Sequence, residues 1–162
     1  MKQSNIQSFF KISKEIPQIE TITTDDDEYI LYFDGCSKGN PGLAGAGAVI
    51  YKNGLEIHSE SVFVGTKETN NVAEYTGLLI GLTEAIRRNI KTLKVKGDSE
   101  LVIKQMKGLY KVSSPSIKGI YEDAKKLQKQ FHKISFEHVY REHNKRADEL
   151  SNEGIGKKTY KN

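Results

Sequence analysis

The sequence predicts an α/β protein, with a mixed sheet of about five strands and helices on both faces. Three observations lead there. Two strand-like runs, AGAVIYK and LEIHSESVFV, flank Asn53-Gly54, the pair preferred in a two-residue type I′ hairpin turn. The hydrophobic period then changes: Tyr75, Leu78, Leu79, Leu82 and Ile86 fall three or four apart and mark an amphipathic helix. Finally, the elements follow the order three strands, a helix, a strand, two helices, a strand, a helix. In that order the first helix can cross over to a strand parallel to the first.

Residues 1–27 show no sustained periodicity and close on the acidic run TDDDE, so they are expected to form a tethering tail. The globular part, 28–156, opens at YILYFDG, an aromatic-rich run ended by Gly35 that suits a central strand. Alternation puts Ile30, Tyr32 and Asp34 on one face and Tyr29, Leu31 and Phe33 on the other. After the loop CSKGNPGLAG comes the hairpin. The helix within TNNVAEYTGLLIGLTEAIRRN can be capped by Thr69, Asn70 or Asn71, and Arg87 and Arg88 favour its end. Gly77 and Gly81, one turn apart, each cost about 1 kcal/mol of helix propensity, which predicts a close approach to the sheet as compensation. KTLKVKGD is a strand, SELVIKQMKG a short helix stopped at Gly108, SPSIKGIYEDAKKLQKQF a helix and ISFEHVYRE a strand. NKRADELSNEG is a last helix that Asn144 can cap, and 157–162 form a basic C-terminal tail.

At 162 residues, with 36% hydrophobic and 28% charged content, the chain has room for one domain with a real core. It has no run of roughly 18 apolar residues, which argues against a membrane span, and no apolar block of a secretory signal near Met1. The single cysteine, Cys36, excludes an internal disulfide and suits a reducing, intracellular setting. Net charge is +4, unevenly spread: lysines 104, 107, 111, 118, 125, 126, 129 and 133 face only Glu122 and Asp123. Such a run is either a set of solvated helix faces or a surface for a polyanion.

Four acids stand at element ends. Asp34 closes the first strand and Asp98 the fourth; if these strands are parallel neighbours, both carboxylates lie at the carboxyl edge of the sheet, where α/β sheets bind ligands. Glu74 falls in the first turn of the crossover helix and Asp148 in the first turn of the last. Carboxylates gathered this closely repel unless cations offset them, and hard oxygen ligands favour Mg²⁺ or Mn²⁺. Two such ions about 4 Å apart suit phosphodiester hydrolysis. Each acid also has a structural reading alone: Asp98 as a helix N-cap, Glu74 as a partner of the helix dipole, Asp148 as a solvent-facing residue. Asp34 is harder to explain so, because Asp is depleted in strands.

The blocks around these acids, DGCSKGNPGLAGAGAVI, TNNVAEYTGLLIGL, GDSELVIKQMKG and REHNKRADELSNEG, resemble in order and spacing the four signature blocks of type 1 ribonuclease H, over residues 29–155. The likeness is greatest to the compact archaeal and plant-type branch. It implies the ribonuclease H-like fold and cleavage of the RNA strand of RNA–DNA hybrids, with Asp34, Glu74, Asp98 and Asp148 as catalytic, metal-binding acids holding two Mg²⁺ or Mn²⁺ ions. It further implies that Asn40, Asn70 and Asn71 sense the RNA strand. An amide can answer a 2′-hydroxyl as donor or acceptor. Three departures stand out. Glu100 occupies a position where many members carry a donating Gln. Bacterial members carry a mobile His in a longer loop before the last helix, whereas here that loop is only REHN, so His143 is either its substitute or a plain surface residue. GLYKVSSPSIKG is too short for the bacterial basic handle.

Gln3, Ile6, Phe9 and Phe10 follow the pattern Q-x-x-I-x-x-F-F, which resembles the PIP box that replication enzymes use to dock on the sliding clamp PCNA. One helical turn would put Ile6, Phe9 and Phe10 on one side as an apolar plug. An organelle transit peptide, or packing on the chain's own domain, are the rival readings of this stretch. The sequence therefore leads to a monomeric hybrid endoribonuclease at replication sites, in the nucleus if eukaryotic and the cytoplasm otherwise. A non-catalytic hybrid-binding adaptor and a DNA-directed nuclease of the same fold are the competing classes.

Overall fold

The structure is a computed structural model that describes residues 16–17 and 26–157. Residues 3–10, where the clamp-binding pattern falls, and 158–162 of the basic tail lie outside the described residues.

Strands β1 (Tyr29–Lys38), β2 (Gly42–Lys52), β3 (Leu55–Glu68), β4 (Thr92–Gly97) and β5 (Lys133–His138) form one sheet in the order β3-β2-β1-β4-β5. The β1–β2 and β2–β3 pairs are antiparallel; β1–β4 and β4–β5 are parallel. The expected mixed five-stranded sheet is thus present. Asn53 and Gly54 both take positive φ (50° and 82°), as a type I′ turn requires. The first three strands run further than their hydrophobic patterns reach. β1 continues past Gly35 because Lys38 still pairs with Leu43, and β3 continues to Glu68 opposite Gly42. Backbone pairing, not side-chain pattern, sets those ends, so Asp34 sits inside β1 rather than at its end. It is the first residue beyond the parallel pairing, which stops at Phe33 opposite Gly97.

Among the described residues, four α-helices flank the sheet: α1 (Asn70–Arg87), α2 (Glu100–Met106), α3 (Pro115–Gln128) and α4 (Lys145–Gly156). The larger apolar cluster joins Tyr29, Leu31 and Phe33 of β1 to α1, α2 and α3. A smaller one on the other face joins Val49 to Ala147 and Leu150 of α4, with Tyr32 and Tyr51 against it. Helices therefore cover both faces. Ile16, ahead of the expected domain start, packs half-buried against the larger cluster.

Close backbone approaches set where the helices sit. A Cβ on Gly77 would lie 2.5 Å from the carbonyl oxygen of Asp34, and one on Gly35 would overlap the backbone N of Glu74. The helix-weakening glycine at 77 is therefore what lets α1 lie against β1, as its position in the helix predicts. On the opposite face, a Cβ on Gly45 would overlap the carbonyl oxygen of Ser151, so α4 sits directly on the β2 backbone. Among the described residues, no helix is long and apolar enough to cross a membrane.

Candidate active site

α1 begins when the Thr69 hydroxyl accepts from Val72 N–H, which puts Glu74 in the second turn rather than the first. α2 is capped by Ser99, whose hydroxyl accepts from Val102 N–H. Asp98 is thus not needed as the cap. Three acids from three elements then converge: Asp34 of β1, Glu74 of α1 and Asp98 after β4 offer ligand oxygens all within 4.8 Å of one another. Asp148 sits in the first turn of α4, as expected, but outside that radius. Its negative charge nevertheless reaches Asp34.

Asp34 and Glu74 are buried, and Asp98 is half-buried. Burial is the main cause that pushes the Asp34 carboxyl up to about 7; the charges of Asp98 and Asp148 add to it, while hydrogen bonds from Glu74 and Ser151 oppose it. Glu74 is raised well above the carboxylate range, first by burial and then by the Asp34 charge, against a backbone bond from Gly35. Two buried acids this close share a proton in preference to ionising together. Glu74 Oε1 is buried with no hydrogen-bond partner. An unsatisfied acceptor in a cluster of hard, repelling oxygens fits a divalent cation of the Mg²⁺ or Mn²⁺ kind, which would satisfy the oxygen and offset the charge.

The last helix is pinned to the cluster by a contact that its sequence does not announce. Asn144 holds the N-cap position of α4 but makes no side-chain cap bond. Its Nδ2 instead donates to the carbonyl oxygen of Phe33 at 3.0 Å, one residue before Asp34. Ser151, fully buried, donates to Asp34 Oδ2 at 2.9 Å and to the Asp148 carbonyl at 2.8 Å. Sequence reasoning missed Ser151. The available signal is its spacing, three residues after Asp148 and hence on the same helix face.

Asn40 and Asn70 are linked. Asn70 N–H donates to Asn40 Oδ1 at 3.0 Å, and Ser37 N–H donates to Asn70 Oδ1 at 2.8 Å. A backbone N–H can only donate, so both carboxamide oxygens are fixed inward and both exposed side chains offer their Nδ2 amino groups as donors. The Ser37 hydroxyl braces the loop by donating to the Glu68 carbonyl at 2.7 Å. Asn71 follows, half-buried, in the first turn of α1.

Glu100 is exposed and bonded to Lys104 at 2.6 Å, which holds its carboxyl below the usual range and answers its charge locally. His143 ends a short 3-10 helix, Arg141–His143, and lines a cavity with Glu28, Ile30, Tyr32 and Tyr51 toward the N-terminal end of β1. None of the three clustered acids lines this cavity. Of the lysine run, Lys104 is engaged by Glu100, and Lys125 donates to the Met106 carbonyl at 3.1 Å. Lys107, Lys111, Lys118, Lys126 and Lys129 are exposed around α2 and α3. α2 and α3 are joined by residues 107–114 without another helix between them.

Solved structures share this fold. The N-terminal RNase H domain of a Mycobacterium tuberculosis protein matches with a TM-score of 0.78 and 37% identity, covering 82% of this chain and 96% of that one. LC11-RNase H1, solved in complex with an RNA/DNA hybrid, matches with a TM-score of 0.75 and 37% identity, covering 82% and 99%. Sheet order, helix placement and the acid cluster together define a domain of the ribonuclease H fold class. A family model described as "Reverse transcriptase-like" matches residues 32–154. A bifunctional protein of Mycobacterium tuberculosis is 40% identical over 127 residues, and ribonuclease HI of Halobacterium salinarum is 37% identical over 124. These matches cover 78% and 76% of this chain. The chain spans only 35% of the length of the first relative and 62% of the second. It belongs to the ribonuclease H family.

Proposed function

We propose that the chain is an endoribonuclease that hydrolyses the RNA strand of RNA–DNA hybrids. The observation that carries this reading is the convergence of Asp34, Glu74 and Asp98 within 4.8 Å, two of them buried and one oxygen unpartnered. Asp148 is the fourth acid of the proposed site, brought in by α4. These acids would hold two Mg²⁺ or Mn²⁺ ions, which when bound supply an activated water and neutralise the leaving oxygen. The chain's own part is to keep the carboxylates fixed and dry, through the close contact of α1 with β1 and the Asn144 and Ser151 bonds of α4. Asn40 and Asn70, with amino groups turned outward, would donate to 2′-hydroxyls of the RNA strand, with Asn71 beside them. The product would carry a 5′-phosphate and a 3′-hydroxyl. The similarity to the halobacterial enzyme and the short 107–114 connection favour the compact archaeal and plant-type branch.

Labelled hybrid, double-stranded DNA and double-stranded RNA, each incubated with and without Mg²⁺ or Mn²⁺, test this. The expected result is cleavage of the hybrid alone, and only with a cation. Hybrid binding without cleavage would favour the adaptor reading, and cleavage of DNA the DNA-directed one.

The exposed lysines are expected to bind phosphates. Replacing Lys107, Lys111 and Lys126 with Gln should flatten the fall of hybrid affinity with salt by up to about 2–2.7 units of log–log slope, at about 0.7–0.9 for each phosphate no longer neutralised. An unchanged slope would make them a solvated face.

Recruitment to replication sites as a monomer completes the proposal, on the strength of Gln3, Ile6, Phe9 and Phe10. A peptide of residues 1–14 is expected to bind a PCNA-type clamp from the same organism, with modest affinity because it orders on binding. Phe9→Ala with Phe10→Ala should remove binding, since aromatic anchors carry most of the energy of such interfaces. The double change should leave cleavage of short free hybrids intact. Calorimetry on both peptides and a cleavage assay on both proteins check each part; loss of cleavage would return the two phenylalanines to the domain's own packing.

A further inference from the structure

Ser151 is a residue whose chemistry neither the acid cluster nor the family likeness accounts for. Its side chain is fully buried, in the middle of a helix whose neighbouring inward positions, Ala147 and Leu150, are apolar. A buried hydroxyl must find partners; the Cys36 sulfur is within its reach, and two oxygen acceptors compete for its one hydrogen. One is the Asp148 carbonyl at 2.8 Å, the local bond that a helical serine makes by default. The other is Asp34 Oδ2 at 2.9 Å, 117 positions away in sequence. A bond to an ionised carboxylate is roughly twice as strong as one between neutral groups, so the Asp34 bond gains weight when the carboxylate is charged.

What puts the hydroxyl there is the backbone packing below it. A Cβ on Gly45 would overlap the Ser151 carbonyl, and one on Gly47 would meet Ser151 N at 2.7 Å. The seat of α4 on β2 therefore fixes Ser151 from the strand side. Asp34, on the neighbouring strand β1, pairs with Gly47.

We propose that Ser151 is a positioning residue for Asp34: its hydroxyl ties down Oδ2, sets the rotation of the carboxylate, and so presents Asp34 to the cation that the acid cluster takes up. The inference rests on the cation-binding part of the proposed function. Ser151 itself touches neither cation nor substrate. Groups that orient a ligand in this way contribute to metal affinity, with losses of about 10–100-fold when they are removed. A neutral hydroxyl next to a buried acid also steadies the charged form without adding a competing charge.

The test is calorimetric titration of the intact, metal-free protein with Mn²⁺, for wild type and Ser151→Ala. Alanine is smaller and a better helix former, so the variant is expected to fold; circular dichroism checks this. The expected result is a Mn²⁺ dissociation constant raised about tenfold in Ser151→Ala. In hybrid cleavage, the Mn²⁺ concentration for half-maximal rate should shift by the same factor, with KM for hybrid unchanged at saturating Mn²⁺. A role in packing alone would lower the melting temperature and leave Mn²⁺ affinity where it was. Equal Mn²⁺ affinity in the two proteins overturns the proposal and leaves the functional reading standing. Absence of Mn²⁺ binding by wild type overturns both. Ser151→Thr, which keeps the hydroxyl, should return the affinity toward wild type; a folded Ser151→Thr that binds as poorly as Ser151→Ala would also count against the hydroxyl's role.

Discussion

Asp34→Asn is expected to lose hybrid cleavage, by on the order of 10²–10³-fold, as for removal of other preorganised charge-stabilising groups, while the protein stays folded. The reason lies in where Asp34 sits. It is the acid that meets every other part of the cluster: Glu74 by hydrogen bond, Asp98 and Asp148 by charge, Ser151 by its hydroxyl. An amide keeps the shape and one acceptor oxygen but removes the anionic ligand, so affinity for Mg²⁺ should fall with activity. The fold should tolerate the change because it relieves repulsion in a buried cluster. Without divalent cations and near pH 8, Asp34→Asn should melt no lower than wild type. A cleavage assay and a melting curve on the same preparation check both halves; near-normal turnover would remove Asp34 from the chemistry.

Metal-free wild-type protein is expected to lose stability as pH rises from about 5 to about 8. Burial raises the Asp34 carboxyl to about 7, and Glu74 higher than its usual range. Each is therefore raised above its unfolded value of roughly 4. Between those values the folded state binds more protons than the unfolded one, so stability falls with pH. At about 1.4 kcal/mol per unit of pKa, Asp34 alone contributes on the order of a few kcal/mol. That corresponds to a fall in melting temperature of roughly 5 °C or more for a domain of this size. Glu84 runs the other way: burial raises it, but the bonds from Arg87 and Arg88 outweigh burial and hold it low. Its contribution is gained with rising pH and is complete just above its unfolded value, by about pH 5. Adding Mg²⁺ at about pH 8 should recover the stability, and Asp34→Asn should flatten the pH dependence. Melting curves across that range, with and without Mg²⁺, give the answer. A melting temperature that rises steadily from pH 5 to 8 without metal would mean that the fold does not force these acids together.

Much of the architecture comes from local chemistry that a linear sequence displays. Asn53-Gly54 specifies its turn because few other pairs accept positive φ at both places. The period of Tyr75, Leu78, Leu79, Leu82 and Ile86 specifies α1 because a helix must bury one stripe. Asp34 was legible because Asp is depleted in strands; Glu74, Asp98 and Asp148 were legible through the surrounding blocks that resemble a family. Strand lengths were less legible: β1, β2 and β3 extend through Gly35, Gly42 and Gly65, where no side-chain alternation signals pairing and the partner strand's backbone decides.

By itself, then, the sequence determined the α/β class, the order of the elements, the hairpin turn and the acids worth watching. Each of these depends on residues near one another in the chain. Only the tertiary structure decided that Ser99 rather than Asp98 caps α2, that Asn144 bonds to Phe33 rather than capping α4, that Asn40 and Asn70 turn their oxygens inward, and that Ser151 holds Asp34. The physical reason is common to all four. A polar side chain has several partners of comparable strength within reach, and which one it takes depends on what the rest of the fold brings within about 3 Å.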